Sequence, residues 1–129
     1  MGGGTRVKKR VLLVEDHQDI IDLMTLELEL LGYDVSIARN GLEAVDMATS
    51  NAPDIIVLDI LLPNMDGFEA AQRIRSHPKT RNTPILAATA LYRDKDRQRC
   101  MDSGCNDHLA KPFTHRQLES RINRLLKDA

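Results

Sequence analysis

Asp54-Ile55-Ile56-Val57-Leu58-Asp59, running on into Ile60-Leu61-Leu62-Pro63-Asn64-Met65-Asp66-Gly67, is the stretch that decides the fold. Four apolar, mostly β-branched residues stand in an unbroken run that is too short for a helix and is closed by a Pro/Asn/Gly loop. Such a run reads as a strand buried on both faces, and strands of that kind belong to parallel sheets. Asp59 then stands where the buried run meets the loop, at the carboxyl end of a central strand, where open α/β sheets keep their ligand crevice. Taken alone, Asp59 is also an ordinary strand-ending residue. Its neighbours change that reading.

Val11-Leu12-Leu13-Val14 is a second short apolar run, and it ends in Glu15-Asp16. A parallel neighbour would bring these two carboxylates to the same sheet edge as Asp59. Three converging acids repel one another unless a hard cation sits among them, and Mg²⁺ with oxygen ligands and retained waters suits that setting. Pro84-Ile85-Leu86-Ala87-Ala88 ends in Thr89, and His108-Leu109-Ala110 ends in Lys111-Pro112. A nucleophilic oxygen, a divalent cation, an ammonium and a hydroxyl are what a transferred phosphoryl group requires.

Between these strands the chain reads as helices. Ile20, Met24, Leu28 and Leu31 fall at helical spacing, with Glu27 and Glu29 outward and Gly32 as the residue past the helix end. Tyr33 to Ile37 alternates as an edge strand would. Asn40-Gly41 opens a short helix carrying Leu42, Val45 and Ala48, which Asn51-Ala52-Pro53 ends. Phe68, Ala71, Ile74 and Arg75 indicate a third helix, closed by His77-Pro78. Tyr92 to Ser103 is dense in charge and thin in apolar residues, a weakly anchored fourth helix stopped by Gly104. Thr114 and Gln117 form a capping box for a fifth helix that buries Leu118, Ile122 and Leu125. Strand and helix alternating five times give right-handed crossovers and a doubly wound parallel sheet.

The 129 residues are 42% hydrophobic and 29% charged, which leaves room for one core. A formal net charge of −1 supplies no field for nucleic acid or an anionic membrane surface, so neither is expected as a direct partner. Cys100 and Cys105 lack zinc-site companions and are too few for a disulfide scaffold, which points to helix or loop packing in a reducing cytoplasm. No stretch is apolar enough to span a membrane, and the segment Met1 to Lys9, with its glycine run, lacks the apolar middle of a secretion signal and reads as flexible. His17, His77 and His115 lack partners at metal-ligand spacing and read as surface or loop residues.

Glu15-Asp16, Asp59, Pro63, Met65-Asp66-Gly67, Thr89 and Lys111-Pro112, in this order and at these intervals, resemble the receiver domains of two-component response regulators, the chemotaxis type included. The resemblance covers residues 10–127, with 1–9 left as the flexible segment. It implies a flavodoxin-like (βα)5 fold with strand order 2-1-3-4-5. Asp59 would be the phosphoacceptor, loaded by a histidine kinase or histidine phosphotransfer protein. Mg²⁺ would be held by Asp16, Asp59 and the backbone carbonyl of Leu61, with Glu15 acting mainly through water. Thr89 would bond a phosphoryl oxygen and Lys111 would neutralise another, ahead of a cis Lys111–Pro112 peptide. Thr89 and His108 would be the switch, acting on an effector surface made of helix four, strand five and helix five.

The chain departs from the family at three positions. His108 replaces the usual Tyr or Phe, keeping a planar ring but adding a titration. Leu61 and Leu91 occupy positions where polar side chains can orient a hydrolytic water. A flavin- or nucleotide-binding module of the same fold would want a Gly/Ser/Thr-rich loop after strand one, and Glu15-Asp16-His17-Gln18-Asp19 repels phosphate there. A Mg²⁺-dependent aspartyl-phosphate phosphatase would want a second Asp two residues after the nucleophile, where Leu61 stands. The reading is therefore a phosphoacceptor with at most weak self-phosphorylation and self-dephosphorylation, either free-standing or cut from a hybrid kinase or a DNA-binding regulator.

Overall fold

The computed structural model describes residues 8–91 and 93–128. Five strands, β1 (Arg10–Val14), β2 (Asp34–Ala38), β3 (Ile55–Leu58), β4 (Ile85–Thr89) and β5 (Asp107–Ala110), alternate with five helices. The helices are α1 (Gln18–Leu30), α2 (Gly41–Asn51), α3 (Gly67–Ser76), α4 (Asp94–Asp102) and α5 (His115–Asp128). All strand pairs are parallel, in the order β2-β1-β3-β4-β5. This is the flavodoxin-like doubly wound sheet that the resemblance implies. Residues 1–7 of the expected flexible segment, and Tyr92 of the expected fourth helix, lie outside the described residues.

The pleat sorts each strand between two cores. Leu12, Val14, Ile56, Leu58, Ile85 and Ala87 face α2, α3 and α4. Val11, Leu13, Ile55, Val57, Leu86, Ala88 and Leu109 face α1 and α5. Because both faces are covered, β3 is buried throughout, whereas edge strand β2 alternates between exposed and partly buried until Ala38. Each Leu or Ile so buried contributes about 1.5–3 kcal/mol of transfer free energy, which makes the strand ends a rigid platform.

Helix faces correct the sequence reading in places. Ile21, not Ile20, is fully buried on α1 with Met24 and Leu28, and Leu31 is the C-cap, not part of the stripe. Leu42 is 56% exposed, and Ala44 takes its expected place in the core of α2. Leu23, Leu26 and Leu30 are left exposed on α1. Gly32 has φ +94°, as a residue past a helix end requires. The Thr114–Gln117 capping box is formed in both directions, at 2.8 and 3.1 Å. The fourth helix is indeed thinly anchored: its buried residue is Cys100, helped by Arg99 lying 4.0 Å over the Phe68 ring.

Candidate functional site

Sheet register assembles the site. Val14 pairs with Leu58, so Glu15 and Asp59 leave their strands side by side, and Thr89 pairs with Ala110, so Lys111 emerges beside it. The ladder continues one step past each strand through Asp59 N–H to the Val14 carbonyl and Lys111 N–H to the Thr89 carbonyl. Gly67 then lets the β3–α3 loop close over the end of β3. A Cβ there would lie 2.5 Å from the Ile60 Cα, and the Gly67 N–H donates to the Ile60 carbonyl at 2.8 Å. Asp66 caps α3 through the Glu69 N–H, which is turn chemistry as expected.

Lys111 Nζ donates to Glu15 Oε1 at 2.8 Å and to Asp59 Oδ2 at 3.3 Å. Glu15 and Asp59 are both buried, and their meeting with one ammonium at the sheet edge is what the strand ends promised. The charge is shared unequally. Burial alone would raise the Glu15 carboxyl, but Lys111 and His17 outweigh it and hold the group down to about 2. For Asp59, burial wins over Lys111 and over the Leu61 N–H that reaches Oδ1 at 3.0 Å, so its carboxyl is raised. Lys111 is itself raised, its burial outweighed by the two acids.

Asp16 stands beside Glu15, with its Oδ1 buried and without a hydrogen-bond partner. A sequestered carboxylate oxygen that makes no hydrogen bond, beside the Glu15 carboxylate, fits a hard cation, and hard cations such as Mg²⁺ take carboxylate oxygens. One residue missed in the sequence belongs here too. His17 Nδ1 lies 3.0 Å from Glu15 Oε2 and 3.3 Å from Asp16 Oδ1, so ligand atoms of Glu15, Asp16 and His17 lie within 4.8 Å of one another, in a group that forms without Asp59. Its imidazole is raised by Glu15 first and then by Asp16. The contact spans two residues across a strand-to-helix turn, which no metal-ligand spacing rule would flag.

Thr89 and His108 meet at one residue. The buried Thr89 hydroxyl accepts from the Leu91 N–H at 3.3 Å, and the largely buried His108 ring donates from Nε2 to the Leu91 carbonyl at 2.8 Å. A carbonyl can only accept, so Nε2 carries the proton. The Lys111–Pro112 peptide is cis.

The family model described as "response regulator receiver domain" matches residues 11–123. The chain belongs to the response regulator receiver domain family. Among curated proteins, this receiver is similar to the DNA-binding dual master transcriptional regulator RpaA of Synechocystis, 39% identical over 118 residues, which are 92% of this chain and 49% of that protein. It spans about half the length of the curated relatives it matches. Among solved structures it resembles the receiver domain of a sensor histidine kinase from Pseudomonas aeruginosa, which has a magnesium ion coordinated in its active site cleft. The TM-score is 0.88 at 36% identity, covering 94% of this chain and 99% of that one. It also resembles the chemotaxis response regulator CheY4 of Vibrio cholerae, with a TM-score of 0.87 at 30% identity, covering 92% and 99%. A phosphatase of similar fold is not favoured. Among the described residues no helix is long and apolar enough to cross a membrane.

Proposed function

We propose that Asp59 is the phosphoacceptor of this receiver, taking a phosphoryl group from the phosphohistidine of a histidine kinase or phosphotransfer protein. The observation that carries the proposal is the single ammonium of Lys111 bridging Glu15 and Asp59, 2.8 and 3.3 Å away. A structural ion pair would need one acid; this site holds a buried second one whose charge is under-compensated. In the transfer, an Asp59 oxygen attacks phosphorus, the O–P bond forms as the P–N bond breaks, and the electron pair stays on the histidine nitrogen. Lys111 would then turn from Asp59 to a phosphoryl oxygen, and the Thr89 hydroxyl would leave Leu91 to donate to another.

Asp16, Asp59 and the Leu61 backbone carbonyl would hold Mg²⁺, with Glu15 reaching it through water. Such an ion neutralises the charge that builds up on the oxygens during transfer. When Thr89 turns, Leu91 loses one of its two anchors, and His108 is free to follow. That supports α4, β5 and α5 as the effector face, since α4 has little core of its own to resist displacement. The protein then acts as a phosphoacceptor for partner proteins in a reducing cytoplasm, without direct contact with nucleic acid and with no turnover of external substrate beyond slow loss of its own phosphate.

The test is acid-stable, hydroxylamine-sensitive labelling with acetyl phosphate and Mg²⁺. Asp59→Asn should abolish the label, and excess chelator should suppress it in the unaltered protein. Full labelling of Asp59→Asn would overturn the assignment.

A further inference from the structure

Two thiols take no part in the site described above. Cys100 is the buried residue of α4, and Cys105 lies just past that helix at 5% exposure, in the same core cluster. Their closeness follows from how α4 ends. Gly104 has φ +108°, its N–H donates to the Met101 carbonyl at 3.1 Å, and the Cys105 N–H donates to the Cys100 carbonyl at 3.0 Å. This 5→2 and 6→1 pair is a Schellman termination, which sets the side chain just past the left-handed glycine against the one three places before the C-cap Ser103. In most helices that contact is between two hydrocarbons. Here both partners are cysteines, and neither is disulfide-bonded.

We propose that Cys100 and Cys105 are an oxidative modification site, a buried dithiol that hydroperoxide converts to an intrachain disulfide stapling the carboxyl end of α4 to the entry of β5. Cys100 supplies the attacking sulfur. The neighbouring Cys105 thiol draws the Cys100 thiol below its ordinary range against burial, while Cys100 and burial push Cys105 well above. The Cys100 thiolate attacks one peroxide oxygen, the O–O bond breaks, and water leaves once protonated, giving a sulfenic acid. The Cys105 sulfur, losing its proton, then attacks the Cys100 sulfur; the S–S bond forms, the S–O bond breaks, and a second water leaves. Two thiols are oxidised by two electrons and one peroxide is reduced to two waters.

Access comes from the helix itself. With so little of α4 in the core, its last turn opens at low cost, exposing Cys100 to a small oxidant. Arg75 stays in place, its guanidinium donating to the Gly104 carbonyl at 2.7 and 3.1 Å, and keeps the loop next to the thiols when the helix opens. A disulfide in this position is reversible in a reducing compartment, as transient redox-sensing bridges are.

The experiment treats the folded chain with hydrogen peroxide, blocks remaining thiols with iodoacetamide in denaturant, and maps the peptides by mass. One Cys100–Cys105 linkage per chain, removed by dithiothreitol, is expected. Backbone amide exchange across Asp94–Asp102 should slow by roughly tenfold or more in the oxidised form. In Cys105→Ser, dimedone should trap a sulfenic acid at Cys100. Two freely alkylated thiols after peroxide, sulfinic acid without linkage, a bridge between chains, or unchanged α4 exchange in linked protein would each overturn the proposal. The mapping on unaltered protein decides the matter even where Cys105→Ser does not fold.

Discussion

Gly67→Ala tests whether the close approach of two backbones is what aims the acidic site. The new Cβ would meet the Ile60 Cα at 2.5 Å, the Asp59 carbonyl oxygen at 2.9 Å and Ile60 Cδ1 at 2.9 Å. The first two are main-chain atoms of the residues that carry the site, so no rotamer change relieves them, and the β3–α3 loop must shift by roughly 1 Å to restore ordinary contact. Overpacking of this kind costs about 1–3 kcal/mol, and more when backbone must move. For a domain of this size each kcal/mol lowers the melting temperature by roughly 3–6 °C. The Leu61 N–H that holds Asp59 Oδ1 rides on the displaced loop, so labelling of the folded fraction should fall by about tenfold to a hundredfold, the usual cost of a misplacement near 1 Å. Circular dichroism gives the melt, and acetyl phosphate labelling well below it gives the rate. Gly104→Ala is the control. It is strained by its φ of +108° and its nearest contacts are atoms of the flexible Arg75 side chain, so it should lower the melt while leaving labelling of the folded protein alone. A Gly67→Ala protein that melts and labels like the unaltered chain would refute the reasoning.

The other expectations follow from single contacts. Burial raises the Asp107 carboxyl, but the His108 N–H, Arg124 and Arg121 outweigh it and leave it lowered. A lowered acid contributes stability above its unfolded range and loses it as pH falls through the folded value, so the melt should drop on acidification below about pH 4. Asp107→Asn should cost about 1–3 kcal/mol near neutrality and flatten that drop; an unchanged acid limb would sink the idea. Leu61, 52% exposed, and half-buried Leu91 offer a hydrolytic water no side-chain hydrogen bond. A long-lived phosphorylated state is therefore expected, and Leu61→Asn or Leu91→Glu should speed phosphate release by about one to two decades. If neither does, the apolar flanks do not control lifetime.

Residues whose environment is set by the strand period are legible in the sequence alone. An unbroken Ile55–Leu58 run has one reading, and once it is a central strand the placement of Asp59, Glu15, Thr89 and Lys111 follows from where each apolar run stops. Helix one was harder for a physical reason. Ile20-Ile21, Leu23, Leu26, Leu28 and Leu30 put apolar residues nearly all round α1, so periodicity alone does not say which stripe is inward, and packing against β1 and β3 chose Ile21, Met24 and Leu28. Leu42 was misplaced because size suggested a core residue, whereas α2 lies close enough to its neighbours to admit Ala44 and Ala48. The Cys100–Cys105 contact had a signal in Gly104, since a helix-stopping glycine specifies which flanking side chains meet.

His17 and Arg75 mark what spacing cannot reach. His17 meets Glu15 and Asp16 through the particular bend between β1 and α1, where the backbone N–H groups of Asp16 and His17 also turn in to Glu15 Oε2 at 3.0 and 3.2 Å. Arg75 reads in sequence as the end of an apolar stripe, yet its guanidinium donates to the carbonyls of Thr80, Arg81 and Gly104 and to Asn106. Both are donors satisfied by the geometry of a turn. The same distinction explains the acidic site itself. Glu15 is supplied with Lys111, His17 and two backbone donors, and its carboxyl sits near 2; Asp59, equally deep, is left with the far side of one ammonium and one amide. Two carboxylates delivered to one edge by the same strand period are thus made unequal by the loops around them. The one left short of donors is the one whose charge a phosphoryl group and its counter-ions can take up.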